Sequence, residues 1–143
     1  MSQLQLRMTP YVANWEELGR LIEQFCITEL LESKLSFTVL LCCEEWFVNI
    51  VNHGYKEYSE AALQQEEVLL ELEHIAGQQL RIVFSDGAPF FNPLQHHQPN
   101  LVEDVVDRNP GGLGIYFIRE KMDQCLYEYK DKRNELTMIK QLV

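Results

Sequence analysis

The sequence predicts an α/β two-layer domain in which helices cover one face of a mixed, mainly antiparallel sheet. Two observations predict it. Apolar residues recur at three- and four-residue spacing in two N-terminal segments and again after a glycine cluster, and at two-residue spacing elsewhere. The two kinds of segment follow one another as β-α-α-β-β-loop-α-β-β, with no repeat and no linker, an order that lays helices over one sheet. The 143 residues suffice for a single domain over 1–143 with a true interior, and 46% hydrophobic content is ordinary for a folded chain.

Each element has its own justification. Leu4, Leu6 and Met8 alternate in "LQLRM", a first strand that ends at Pro10. Asn14 is a candidate helix cap, because its side chain accepts from free first-turn amides. Leu18, Leu21, Ile22 and Phe25 follow at helical spacing. A second helix is expected to start after Ser36 and run to about His53, and the polar stretch 56–66 reads as a solvated loop. From Val68, "VLLELEHI" and "LRIVF" flank a turn at Ala76-Gly77 and read as an antiparallel pair. Residues 85–111, rich in Pro, Gly, Asn and His, make a loop long enough to be a functional lid. A third helix follows the glycines, and "CLYEYK" and "ELTMIKQL" around "DKRN" close the chain as a hairpin.

Composition narrows the function classes. The formal charge of −10 repels nucleic acid phosphates and anionic lipid, so neither is expected as a direct partner. No apolar run approaches the roughly 20 residues that span a bilayer, and the N-terminus has no export signal. Cys26, Cys42, Cys43 and Cys125 lack CxxC spacing and read as reduced core residues. The expectation is an acidic, cytoplasmic domain.

Three polar features call for chemistry. On the second helix, Val39, Cys43, Trp46, Phe47, Ile50 and Val51 form one apolar face, and Leu41, Cys42 and Val48 flank the opposite side. Between them runs a polar line of Glu45, Asn49, Asn52 and His53, with Glu45 and Asn49 one turn apart. In apolar surroundings each unmet polar group costs about 1–3 kcal/mol, so neighbouring side chains or a ligand must satisfy them. Leu80, Ile82 and Phe84 face inward, which carries Asp86 out of its strand on the covered side. It either caps the turn at Gly87 or accepts from the exocyclic amine of a bound base. Gly111, Gly112 and Gly114 precede a helix whose first amides have no internal partner, an arrangement that attracts anions. It is neither the dinucleotide fingerprint nor a P-loop, since no Gly-Lys-Ser/Thr follows. Each feature alone has an ordinary structural reading; together they make a nucleotide pocket.

The set and its order, E-x-x-x-N, then D-x-G-like, then GxG, resembles the ATP-binding domain shared by gyrase, the ninety-kilodalton heat-shock chaperone, histidine kinases and MutL. That superfamily (GHKL, or histidine kinase-like ATPases) has the Bergerat fold. "EEWFVNIVNHGY", "PFFNPL" and "GGLGIYFIREKMDQCLYEYKDKRNELTMIK" are similar to bacterial anti-sigma factor serine/threonine-protein kinases, over roughly residues 4–142. The resemblance implies ATP and Mg2+ as cofactors. It implies that Asn49 holds magnesium, that Glu45 is the general base toward a protein hydroxyl, and that Asp86 accepts from the adenine amino group. Gly111, Gly112, Leu113 and Gly114 then form the hinge of a lid over the phosphates, and His53 supports the pocket. Arg20 on the first helix matches an arginine that faces the partner protein in some relatives. The implied partners are a STAS-type anti-sigma factor antagonist and a sigma factor, and relatives pair as homodimers through the sheet region and partner helices, which makes a homodimer a candidate here.

The sequence also departs from that pattern. Ala88 occupies the third position of D-x-G, Val48 replaces a small polar residue before the Asn, and no Lys follows the glycines. Arg108 stands near the basic lid position of some relatives, as a phosphate contact or as a plain surface residue. His96 and His97 lack nearby Cys or carboxylate ligands and read as part of the lid rather than as a metal site. The alternative function is a nucleotide-gated regulatory binding module of the same fold without kinase activity.

Overall fold

A computed structural model describes residues 1–95 and 110–142, the stretch 110–113 by its backbone. The element order is β1 (Ser2–Met8), a 3-10 turn (Val12–Asn14), α1 (Trp15–Thr28), α2 (Ser33–Asn49), a π-helical turn (Ile50–Gly54) and α3 (Glu60–Leu63). It continues with β2 (Val68–Ile75), β3 (Gln79–Asp86), a 3-10 turn (Pro93–Gln95), α4 (Pro110–Lys121), β4 (Gln124–Lys130) and β5 (Arg133–Gln141). The five strands form one sheet in the order β1-β2-β3-β5-β4, and all four pairings are antiparallel. The sheet is thus antiparallel throughout rather than mixed, because every strand meets a neighbour that runs the opposite way.

Alternation along the strands assigns the faces. Leu70 and Leu72 of β2, Leu80, Ile82 and Phe84 of β3, and Leu136 and Met138 of β5 are buried on one face. The other face carries Gln3, Gln5, Glu71 and Glu73, joined across strands by Gln3–Glu73 and Gln5–Glu71 hydrogen bonds of 3.2 and 3.1 Å. On the buried face lies a single core completed by Leu18 and Ile22 of α1, Phe47 of α2, and Ile115 and Ile118 of α4. Full burial of a side chain such as Phe47 is worth about 1.5–3 kcal/mol. The turn between β2 and β3 places Gly77 at φ 73°, and the two residues between β4 and β5, Asp131 and Lys132, have φ 54° and 62°. Two positive φ angles in a two-residue loop give the turn whose twist matches the flanking strands.

Four local expectations need correction. Asn14 makes no side-chain cap; its Nδ2 donates to the Thr9 carbonyl at 2.8 Å, and a 3-10 turn leads into α1 instead. α2 begins at Ser33, three residues before Ser36, and its last turn widens into the π turn. The segment 56–66 holds one helical turn, capped by Ser59 Oγ, which accepts from Ala62 N at 3.1 Å. The glycines after 110 lie inside the first turns of α4 rather than before them.

α2 is the central helix, flanked by α1 and α4. The run Ser33–Gly54, 22 residues at a mean hydropathy of 1.3, passes the length and composition test for a membrane span, contrary to the sequence expectation. Its apolarity has a local reason, for Val39, Cys42, Cys43 and Phe47 are fully buried in the core that α2 shares with the sheet and the flanking helices. The four cysteines are free thiols. Burial pushes the Cys42 thiol up to about 12, so it stays protonated and unreactive.

Candidate active site

The site is a cleft of about 230 Å³ between the C-terminal half of α2, the end of β3 and the segment that follows it. β3 and β5 pair so that Asp86 lies directly opposite Asn134. Both are buried, at 4% exposure each. Asp86 Oδ1 accepts from Ala88 N at 3.0 Å and from Asn134 Nδ2 at 3.0 Å. The same Asn134 amide also donates to the Ala88 and Pro89 carbonyls, at 2.9 and 3.1 Å. Its Oδ1 accepts from Phe91 N and from the Tyr127 hydroxyl. One buried carboxamide thereby shapes the whole turn after β3.

Asp86 therefore does cap its turn, but only with one oxygen. Both of its bonds fall on Oδ1, which leaves Oδ2 for a donor in the cleft that Asp86 lines. Burial raises its carboxyl above the ordinary value, outweighing the Asn134 and Ala88 hydrogen bonds and the Arg133 charge. A carboxylate held dry with one oxygen unspent is an acceptor suited to an amine donor. Beside it, Tyr55 is buried and its hydroxyl accepts from Gly87 N at 2.9 Å. Arg133 fastens the strand end, since Nε donates to Ser85 Oγ at 2.7 Å and Nη2 donates to the Ser85 and Glu67 carbonyls.

Ala88 suits its position. The π turn brings Gly54 so close that a Cβ there would stand 3.0 Å from the Ala88 Cβ. A small residue on each side lets the end of α2 approach the turn that follows β3. π turns often sit at functional sites, where they re-aim a helix end. His53, on that turn, is exposed and lines the cleft.

The opposite end of the site is where α4 meets α2. A Cβ added to Gly114 would stand 3.0 Å from Glu45 Oε2 and 3.8 Å from Asn49 Nδ2. Glycine at 114 thus allows the first turns of α4 to lie directly against the two polar side chains of α2. Asn49 is buried at 8% exposure, whereas Glu45 is exposed. The expectation of a carboxylate in apolar surroundings is corrected here: Glu45 lies at the solvent edge, within reach of an incoming group. Among the described residues no three His, Cys, Asp or Glu side chains converge as a metal cage. A magnesium ion does not need one, since it keeps waters and is held by one or two protein groups plus phosphates. The Asn49 carboxamide beside the Glu45 carboxylate fits that requirement.

The cleft gathers Asn49, His53, Asp86 and Ala88, and Glu45 and Gly114 adjoin it beside Asn49. The backbone of Gly111, Gly112 and Leu113 starts the helix that leads to it. Arg20 lies elsewhere: it is exposed on α1, paired with Glu17 at 2.6 Å, and lines a separate groove with Trp15 and Phe37. Arg108, His96 and His97 lie outside the described residues.

A family model described as the histidine kinase-like ATPase domain matches residues 9–140. The chain belongs to that family. The antiparallel five-stranded sheet with helices on its buried face is consistent with this ATPase fold. The ATPase domain is also similar to the serine/threonine-protein kinase BtrW of Bordetella bronchiseptica, at 27% identity over 121 residues, covering 82% of this chain and 78% of the relative. Two site residues of the domain escaped the sequence reading. Asn134 shares its strand phase with Leu136 and Met138, a signal of burial that period-two alternation carries. Tyr55 follows the polar line on α2 by two residues and gave no signal of its own.

Proposed function

We propose that this chain is a Mg-ATP-dependent serine/threonine protein kinase. It transfers a phosphoryl group to a small antagonist protein of the STAS type and so regulates a sigma factor or a similar partner in the cytoplasm. The observation that carries the reading is the division of one site into two ends. Asp86 offers a buried acceptor at one, and Glu45 with Asn49 meets the glycine-led helix α4 at the other. The similarity to a relative named a serine/threonine-protein kinase supports the same chemistry.

In this reading Asp86 Oδ2 accepts the adenine amino group and Ala88 lets the ring lie close to the chain. The free amides at the start of α4 and the helix dipole meet the phosphates. Asn49 would hold magnesium, which supplies charge neutralisation on the phosphates when bound. Glu45, solvent-facing and next to Asn49, orients the incoming serine or threonine hydroxyl and takes its proton.

The test is Glu45→Gln, with labelled ATP and candidate antagonist proteins. ATP affinity should remain at the wild-type level while transfer falls by about 10²–10⁴-fold. Unchanged transfer excludes the base role. Tight binding of ATP and partner by the wild type, with no phosphoprotein formed, would instead make the chain a nucleotide-gated binding module.

A further inference from the structure

Trp46 follows Glu45 on α2 and is not used by the site as built so far. Its side chain is 4% exposed and lines the same cleft as Asn49, Ile50 and Asp86. The indole Nε1 is buried and has no hydrogen-bond partner among the described residues, the one side-chain nitrogen or oxygen there of which this is true. An indole N–H can only donate. A buried donor without an acceptor is unfavourable, and a phenylalanine at 46 would fill the same core position without carrying one.

The place of Trp46 along α2 says which part of a ligand it would meet. Gly54 abuts Ala88 beside Asp86, so the C-terminal end of the helix marks the base end of the cleft. Asn49, which lines the cleft, abuts Gly114 together with Glu45 and marks the other side of the site. Trp46 stands eight residues before Gly54 and next to Glu45, about two helical turns from the base end. At that distance from the base a nucleotide presents phosphate oxygens, which are acceptors only. To meet one of them the indole turns its buried N–H toward the cleft that Trp46 lines.

We propose that the Trp46 indole N–H donates a hydrogen bond to an oxygen of the bound nucleotide's phosphate chain. This rests on the nucleotide reading of the cleft, and the experiment separates the two. Calorimetry compares wild type and Trp46→Phe with ATP, ADP and adenosine. Trp46→Phe should bind ATP and ADP about tenfold more weakly and adenosine as well as wild type does. Equal loss for all three, or no loss for any, overturns the role of Trp46 while leaving nucleotide binding intact. If the wild type binds none of them, the nucleotide reading itself fails.

A second measurement does not depend on that variant folding. In the 15N-labelled wild-type protein, with Trp15→Phe used only to assign the two indole signals, ADP should shift the Trp46 indole N–H resonance and slow its exchange with water. Adenosine should do neither. An indole signal indifferent to saturating ADP overturns the proposal.

Discussion

The two sides of the candidate site are built in opposite ways. On one side Asp86, Asn134, Ala88 and Tyr55 are buried, with Asp86, Asn134 and Ala88 joined in one hydrogen-bond network across β3, β5 and the turn after β3, and Tyr55 holding Gly87 of that turn. On the other side Glu45 faces solvent and Gly114 brings a helix against it with nothing in between. On the proposed reading the base acceptor belongs to a buried network, and stripping that network damages the fold. On the same reading the transfer chemistry belongs to the solvent edge at Glu45, and its loss leaves the fold intact.

The comparison can be broken first by stability. Asn134→Ala removes one hydrogen-bond partner each from Asp86, two carbonyls, an amide and a hydroxyl, and should destabilise the chain by about 3 kcal/mol in urea unfolding. Glu45→Ala should stay within about 0.5 kcal/mol of wild type, as surface substitutions do. Equal midpoints for the two variants would erase the distinction between the sides.

Asp86→Asn sharpens it. The Asn Oδ1 keeps the bonds to Ala88 N and Asn134 Nδ2, while its amide turns an acceptor toward the cleft into a donor. ATP affinity should fall by about 100-fold, or about 2.7 kcal/mol, with the fold retained. Wild-type affinity in this variant would assign Asp86 to the turn cap alone. The same pair of proteins has a pH signature. Folding raises the Asp86 carboxyl, so the cost of ionising it in the fold is absent below its unfolded value and grows as pH rises through its folded value. The stability of Asp86→Asn relative to wild type should therefore increase from acid toward neutral pH, read as urea midpoints. A difference that shrinks over that range contradicts a buried, raised carboxyl.

The smallest effect is expected at Gly114→Ala. The new Cβ meets the end of the flexible Glu45 side chain at 3.0 Å, so Glu45 swings aside at little cost to stability. Transfer should fall by only a few-fold, on the order of 1 kcal/mol in the barrier. Transfer at the wild-type rate would show that the contact between α4 and Glu45 is not part of the productive arrangement.

Periodicity made much of this legible. The alternation of Leu80, Ile82 and Phe84 correctly carried Asp86 to the covered face, and the three-four spacing on α2 marked Val39, Cys43, Phe47 and Ile50 as core. What it did not give were choices between partners. Asn14 has the chemistry of a cap, yet the Thr9 carbonyl five residues earlier takes its amide. A helical wheel places Glu45 on the same line as Asn49. It does not say that burial ends between them, because that depends on which neighbouring helix covers which side.

The sequence by itself determined the layers, the strand phases and the residue types that carry nucleotide chemistry, since those follow from short-range spacing along the chain. Only the tertiary structure decided that Asp86 shares its bonds with Asn134, 48 residues away, that Gly54 meets Ala88, and that Gly114 meets Glu45. Those contacts depend on strand register and on how closely two backbones approach. Both are set when the core is packed, and neither leaves a mark on any local stretch of sequence.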